Sequence, residues 1–282
     1  VTFDSFLLII LAAVIQASWN FVAKRSSANR AILIYLGWFM FGLLALPVAC
    51  FFTDFSNFNV KWVYFILGSS VVHIAYVALL GWGYSKGDFS MVYPISRGIG
   101  IVGTTSIVIA MSVHVAPEGI VGIACIVAGT GLIGLRESLR KESRQAFLIA
   151  ILIGITVATY SLIDSLAVKT VPPIFYAAAI NLFPSAFVAP ILLTRYQTEL
   201  KTVWKLHKRE SFFVATAGAT SYLLVLFAFQ KTPAAYVIAL RECSVVIAAG
   251  LGVFILKEKL YKRKVIAILL IVTGMIVIKL AH

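Results

Sequence analysis

Residues 5–23 read Ser5-Phe6-Leu7-Leu8-Ile9-Ile10-Leu11-Ala12-Ala13-Val14-Ile15-Gln16-Ala17-Ser18-Trp19-Asn20-Phe21-Val22-Ala23, an apolar run without a charged residue. A helix needs about 20 predominantly apolar residues to cross the hydrocarbon of a bilayer, so this run predicts a membrane-spanning helix rather than a cleavable leader. Nine more runs follow, at 31–53, 61–84, 89–111, 117–135, 145–168, 174–195, 211–230, 234–256 and 264–280. Strand-like alternation is not found in them, and a helix in lipid satisfies its own backbone. With 61% hydrophobic and 12% charged residues and a mean hydropathy of +0.99, the composition excludes a water-soluble enzyme and a disordered chain alike. Ten spans with short links consume nearly all 282 residues. The predicted fold class is an all-α integral membrane protein with ten transmembrane helices.

The basic residues sort by link. Of 24 Lys and Arg, 18 fall in the odd-numbered links and three, Lys61, Lys169 and Lys231, in the even-numbered ones. The positive-inside rule places the odd links in the cytoplasm and, with ten spans, both termini outside. The net charge of +13 is accounted for by this bias, so no nucleic-acid partner is expected. Cys50, Cys125 and Cys243 lie in apolar runs without paired spacing, which suggests neither a zinc site nor a disulfide frame. The sequence calls for no cofactor.

The two halves look like a diverged duplication. A shift of 145 residues carries Lys86 onto Lys231, Val92 onto Val237, Ile126 onto Ile271 and Gly129 onto Gly274; a shift of 141 carries Trp19-Asn20 onto Tyr160-Ser161. Five spans per copy is an odd number, so a tandem copy must sit upside down. The expected organisation is a first repeat at 1–135, a basic link at 136–144 and a second, inverted repeat at 145–282. Such repeats hold their substrate near the midplane.

Tyr93-Pro94-Ile95-Ser96-Arg97-Gly98 and Leu240-Arg241-Glu242-Cys243-Ser244, with the Leu256-Lys257-Glu258-Lys259-Leu260 turn before a helix carrying Gly274, resemble the EamA-like branch of the drug/metabolite transporter superfamily. The first half departs from that pattern, with Val115-Ala116-Pro117-Glu118-Gly119 in place of the turn. The resemblance covers nearly the whole chain. It implies a ten-helix transporter with a cavity lined by spans 1, 3, 4, 6, 8 and 9, and it implies cytoplasmic termini, against the charge count. A bacterial or archaeal plasma membrane is the expected location.

Ionisable groups within spans are costly and mark candidate sites. Arg97, in the fourth span, falls on Glu242, in the ninth, under the repeat shift. An Arg97–Glu242 pair would leave Arg241 for a solute anion; the alternative is a pair that only fixes helix register. Asp164 is a fourth candidate of this kind, with the alternative that, near the end of its span, it simply reaches the headgroups. Trp19 with Asn20, and Tyr160 with Ser161, put an aromatic and a polar group at matching places of spans one and six, as cavity lining or as interhelical contacts. His73 and Tyr76 share one face of the third span, where His73 could relay protons. Tyr93, Asn181 and Tyr222 add further polar groups. Trp38, Trp62 and Trp204 are expected at the membrane interfaces. Gly98-Ile99-Gly100-Ile101-Val102-Gly103 fits a dinucleotide-binding spacing, but no strand precedes it, and close helix packing is the expected use.

The leading functional reading is a secondary transporter for a small polar metabolite, such as an amino acid or another carboxylate- or phosphate-bearing solute. A proton is a candidate coupling ion, the bilayer is the other partner, and monomer and homodimer stay open. A lipid or drug exporter of the same fold and an intramembrane enzyme are the alternatives.

Overall fold

The computed structural model describes residues 1–26, 28–86, 89–138, 144–255 and 261–281. The Leu256–Leu260 turn and residues 139–143 of the basic link lie outside the described residues. Among the described residues every regular element is helical: α1 (Phe3–Arg25), α2 (Arg30–Phe52), α3 (Val60–Lys86), α4 (Phe89–Ala110), α5 (Pro117–Ser138), α6 (Arg144–Ala167), α7 (Pro173–Arg195), α8 (Gln197–Leu206), α9 (Lys208–Lys231), α10 (Ala234–Leu240), α11 (Cys243–Phe254) and α12 (Lys262–Leu280), with a 3-10 turn at Phe55–Asn57. Among the described residues eight helical stretches are long and apolar enough to cross a membrane, which makes this a multi-pass membrane protein. One of them, Ala234–Leu251, joins α10 and α11. The fifth run is shorter, Pro117–Ile133, and α12 opens on Lys262, Arg263 and Lys264.

Local chemistry sets the ends. Thr2 caps α1 by accepting from the Ser5 amide at 3.4 Å. Proline opens α5 and α7 and precedes α10, where the missing amide proton costs nothing. At the end of α4, Ser112 takes φ 58°. Its amide donates to Ile109 and that of Val113 to Val108, a Schellman closure.

Two features depart from the sequence expectation. The link between the seventh and eighth runs contains α8, an amphipathic helix. Its Leu200 and Val203 are buried with Ala23, Ile32, Leu33 and Val214, while Trp204 and Leu206 are exposed. The ninth run is not one helix: it breaks at Arg241-Glu242.

The largest interfaces join α5 with α12, α4 with α6, α1 with α9, α2 with α7 and α3 with α6. Glycine makes the closest of these crossings. A Cβ on Gly122 would lie 2.7 Å from the Gly274 carbonyl oxygen, and one on Gly129 would lie 2.7 Å from that of Ala267, so α5 and α12 cross antiparallel. Gly100 and Gly103 of the dinucleotide-like run face Val157 and Ala158 of α6, as helix packing requires. Trp62 is the third residue of α3, next to the second link. It is 2% exposed and packs among Phe55, Phe58 and Phe175. Trp38 stands 6.5 Å from the His73 ring, and Trp204 alone of the three is largely exposed.

Candidate functional site

The site forms where the ninth run breaks. After Leu240 the chain makes two tight turns, with the Glu242 amide donating to Ala239 and the Ser244 amide to Arg241, before α11 begins at Cys243. The break presents Arg241 and Glu242 side by side inside the bundle, 6% and 0% exposed.

Glu242 takes Arg97 of α4. Arg97 Nε donates to Glu242 Oε1 at 2.7 Å, and Arg97 Nη2 lies 2.5 Å from the same oxygen. Both contacts fall on one oxygen, so Glu242 Oε2 has no hydrogen-bond partner. Arg241 is held differently. Its Nη2 donates to Gln16 Oε1 of α1 at 3.1 Å, and its guanidinium carbon sits 5.4 Å from the centre of the Tyr222 ring. Arg241 Nε and Nη1 have no partner.

Aromatic rings stand beside these charges. Tyr160 of α6 is 4.4 Å from His73 of α3, 5.7 Å from Tyr76 and 6.5 Å from Tyr222 of α9, all between ring centres. Ser161, next to Tyr160, is fully buried and its hydroxyl has no partner. Tyr93 is half-buried one turn before Arg97, and its carbonyl accepts from Ser96 at 2.9 Å.

Several sequence candidates sit elsewhere. Asn20 is exposed, and its amide donates to the Gln16 carbonyl at 2.8 Å within α1. Trp19 lies 3.8 Å from the position of a Cβ on Gly218 of α9 and packs with the cluster around Leu33 and Val203. Asn181 turns its amide onto the Ala177 carbonyl of its own helix at 2.7 Å. The residue by which α1 reaches the charged cluster is Gln16, one turn before Asn20. A search for ionisable groups passes over it, although it is the only amide-bearing residue in the interior of the first run before Asn20.

Asp164 overturns the headgroup expectation. It is 0% exposed. Its Oδ1 accepts from Ser69 at 2.6 Å and Tyr176 at 2.7 Å, and its Oδ2 accepts from the Tyr222 hydroxyl. Ser69 also meets His73, whose Nδ1 is 3.1 Å from the Ser69 hydroxyl and 2.9 Å from its carbonyl oxygen. Its position near the end of the apolar run gave no hint of this, because the donors come from three other helices. Among the described residues no group of His, Cys, Asp and Glu is arranged to hold a metal ion.

Residues 144–280 match the EamA-like transporter family. A solved structure described as "Crystal structure of protein" shares the fold, with a TM-score of 0.75 and 17% identity over 98% of this chain and 97% of its own. No curated protein matches the sequence.

Proposed function

We propose that this membrane protein, whose residues 144–280 match the EamA-like transporter family, is a transporter that carries a small carboxylate- or phosphate-bearing solute by alternating access. The observation that carries the solute class is Arg241, 6% exposed with two guanidinium nitrogens unpartnered. Buried polar groups are almost always satisfied, and a planar guanidinium matches a carboxylate or phosphate. Beside it, Glu242 Oε2 is a free acceptor. An amino acid fits the pair, with its carboxylate on Arg241, its ammonium on Glu242 Oε2 and its side chain against Tyr76, Tyr160 and Tyr222.

Ten spans in two inverted five-helix repeats belong to the same reading. The crossing of α5 with α12 supports it: under the 145-residue shift Gly122 corresponds to Ala267 and Gly129 to Gly274, so its two glycine contacts exchange. So do the other interfaces, α1 with α9 matching α6 with α3, and α4 with α6 matching α11 with α1. Near-complete burial of the charged cluster in this conformation means that a solute enters only when the halves move apart. A proton is the coupling ion in this reading, since the bundle encloses several titratable groups.

Uptake of radiolabelled L-phenylalanine into reconstituted vesicles tests the proposal. Uptake should saturate, return the solute chemically unchanged, and lose about tenfold or more in apparent affinity in Arg241→Ala, the scale of a hydrogen bond to a charged group. Unchanged affinity in that variant places the solute elsewhere, and a covalently altered product favours an enzyme.

A further inference from the structure

The solute site uses Arg241, Arg97 and Glu242 and leaves the carboxylate of Asp164 without a task. Asp164 is fully buried, and among the described residues no Lys, Arg or His forms an ion pair with it. An unpaired buried charge is expensive. Here three hydroxyls, from Ser69, Tyr176 and Tyr222, take the place of a cation.

Hydroxyl donors have a property that a guanidinium lacks: each can also accept. If a proton settles on Asp164 Oδ2, the new O–H can donate to the Tyr222 oxygen, whose own hydrogen turns away, and the carboxyl stays bonded. The cradle therefore accommodates both protonation states. Glu242 is the opposite case. Arg97 holds it through one hydrogen bond and a close ionic contact on the same oxygen, and a proton there would strand a buried guanidinium. Of the two carboxyls buried among the described residues, Asp164 is the one whose partners suit both protonation states.

Tyr222 reaches both sites. Its hydroxyl binds Asp164 and its ring carries Arg241. We propose that Asp164 is the proton-binding site of the transporter and that Tyr222 links it to Arg241, so that the solute's anionic group and a proton bind together. This rests on the transport reading above. Without solute, Arg97 and Arg241 balance Glu242 and ionised Asp164. An anionic group on Arg241 takes over the role of Asp164 as its counter-charge, and a proton from water then neutralises Asp164; the sum is conserved for a solute with one net negative charge, whereas a zwitterionic amino acid and the proton together carry one net positive charge. Asp164 meets Ser69 of α3, Tyr176 of α7 and Tyr222 of α9 directly, with His73 behind Ser69 and Tyr160 on its own helix; Tyr76 of α3, Tyr93 and Arg97 of α4, and Arg241, Glu242 and Cys243 at the break are the further ionisable groups around it. The chain His73–Ser69–Asp164 offers a proton path.

Infrared difference spectra of the protein in lipid nanodiscs, recorded as pH is lowered, report carboxyl protonation. The expected carboxylic-acid band is absent in Asp164→Asn. Its midpoint moves to higher pH by about one unit or more in Arg241→Ala, which removes the same charge that an anion neutralises. In a Tyr222→Phe background the Arg241→Ala shift falls to less than half. These two variants keep the carboxylate, so their comparison holds even where Asp164→Asn does not fold. A band that persists in Asp164→Asn, or a midpoint indifferent to Arg241, overturns the proposal. L-phenylalanine uptake by the same preparations separates the two readings. The expected titration without uptake supports the linked site and removes the amino acid as solute, whereas uptake without an Asp164 band removes the proton site alone.

Discussion

Replacing Glu242 by Gln removes the negative partner from a buried pair while keeping the side chain's shape. Arg97 Nε and Nη2 approach Glu242 Oε1 at 2.7 and 2.5 Å, with side-chain exposures of 6% and 0%, so water cannot replace the lost charge. Breaking such a pair costs about 3–5 kcal/mol, which is roughly two to four powers of ten in the folding equilibrium. Arg97→Ala should cost a similar amount, because Glu242 is then the stranded charge. The double change, Arg97→Ala with Glu242→Gln, removes both charges and should recover about 2 kcal/mol or more of the summed loss, since a buried pair contributes little net stability over neutral groups. Arg241→Ala breaks only the bond to Gln16 and the contact with the Tyr222 ring, so its cost should stay near 1–2 kcal/mol. Unfolding of the purified variants in mixed micelles, titrated with a denaturing detergent, measures the set. If the double variant loses the full sum of the two single losses, the two residues do not act as a pair. If Arg241→Ala unfolds the protein while Arg97→Ala stays folded and loses affinity, the two arginines have exchanged roles.

Much of this bundle follows from the sequence, and the exceptions share a cause. The apolar run 5–23 became Phe3–Arg25 and the run 145–168 became Arg144–Ala167, because hydrocarbon thickness imposes a length that hydropathy records directly. The Arg97–Glu242 contact was legible as well: each charge alone in an apolar span needs a partner, and the repeat shift put the two at matching depths. The break at Arg241-Glu242 was not legible, since two buried turns leave the hydropathy of the run unchanged. The partners of Asp164 were not legible, because distance along a span measures depth in the membrane and says nothing about neighbours. Tyr176, Tyr222 and Ser69 lie 12, 58 and 95 residues away. The burial of Trp62 was hidden for the same reason, as its cover comes partly from Phe175 of another helix. Only α8 left a readable trace. Leu200 and Val203 recur three residues apart among Lys201 and Lys205, an amphipathic pattern that short length and high charge disguise as a link.

Two further predictions address orientation and packing. The 18-to-3 distribution of basic residues between odd and even links predicts an outward C-terminus, so a reporter active only in the cytoplasm and fused after His282 should stay dark; if it is active, the cytoplasmic termini that the resemblance implies prevail over the loop bias. The α5–α12 crossing should be equally intolerant of bulk at its two symmetry-related glycines. A Cβ on Gly274 would lie 2.5 Å from the Gly122 carbonyl oxygen and one on Gly129 would lie 2.7 Å from that of Ala267, both backbone atoms that move only if the helices part. Gly274→Ala and Gly129→Ala should each cost about 1–3 kcal/mol, whereas Gly250→Ala, with nothing within 4 Å of its Cβ position, should be neutral or slightly stabilising because alanine favours a helix. Thermal unfolding in nanodiscs compares the three, and a cost at one crossing glycine with none at the other would show that the two halves do not share this contact on equal terms.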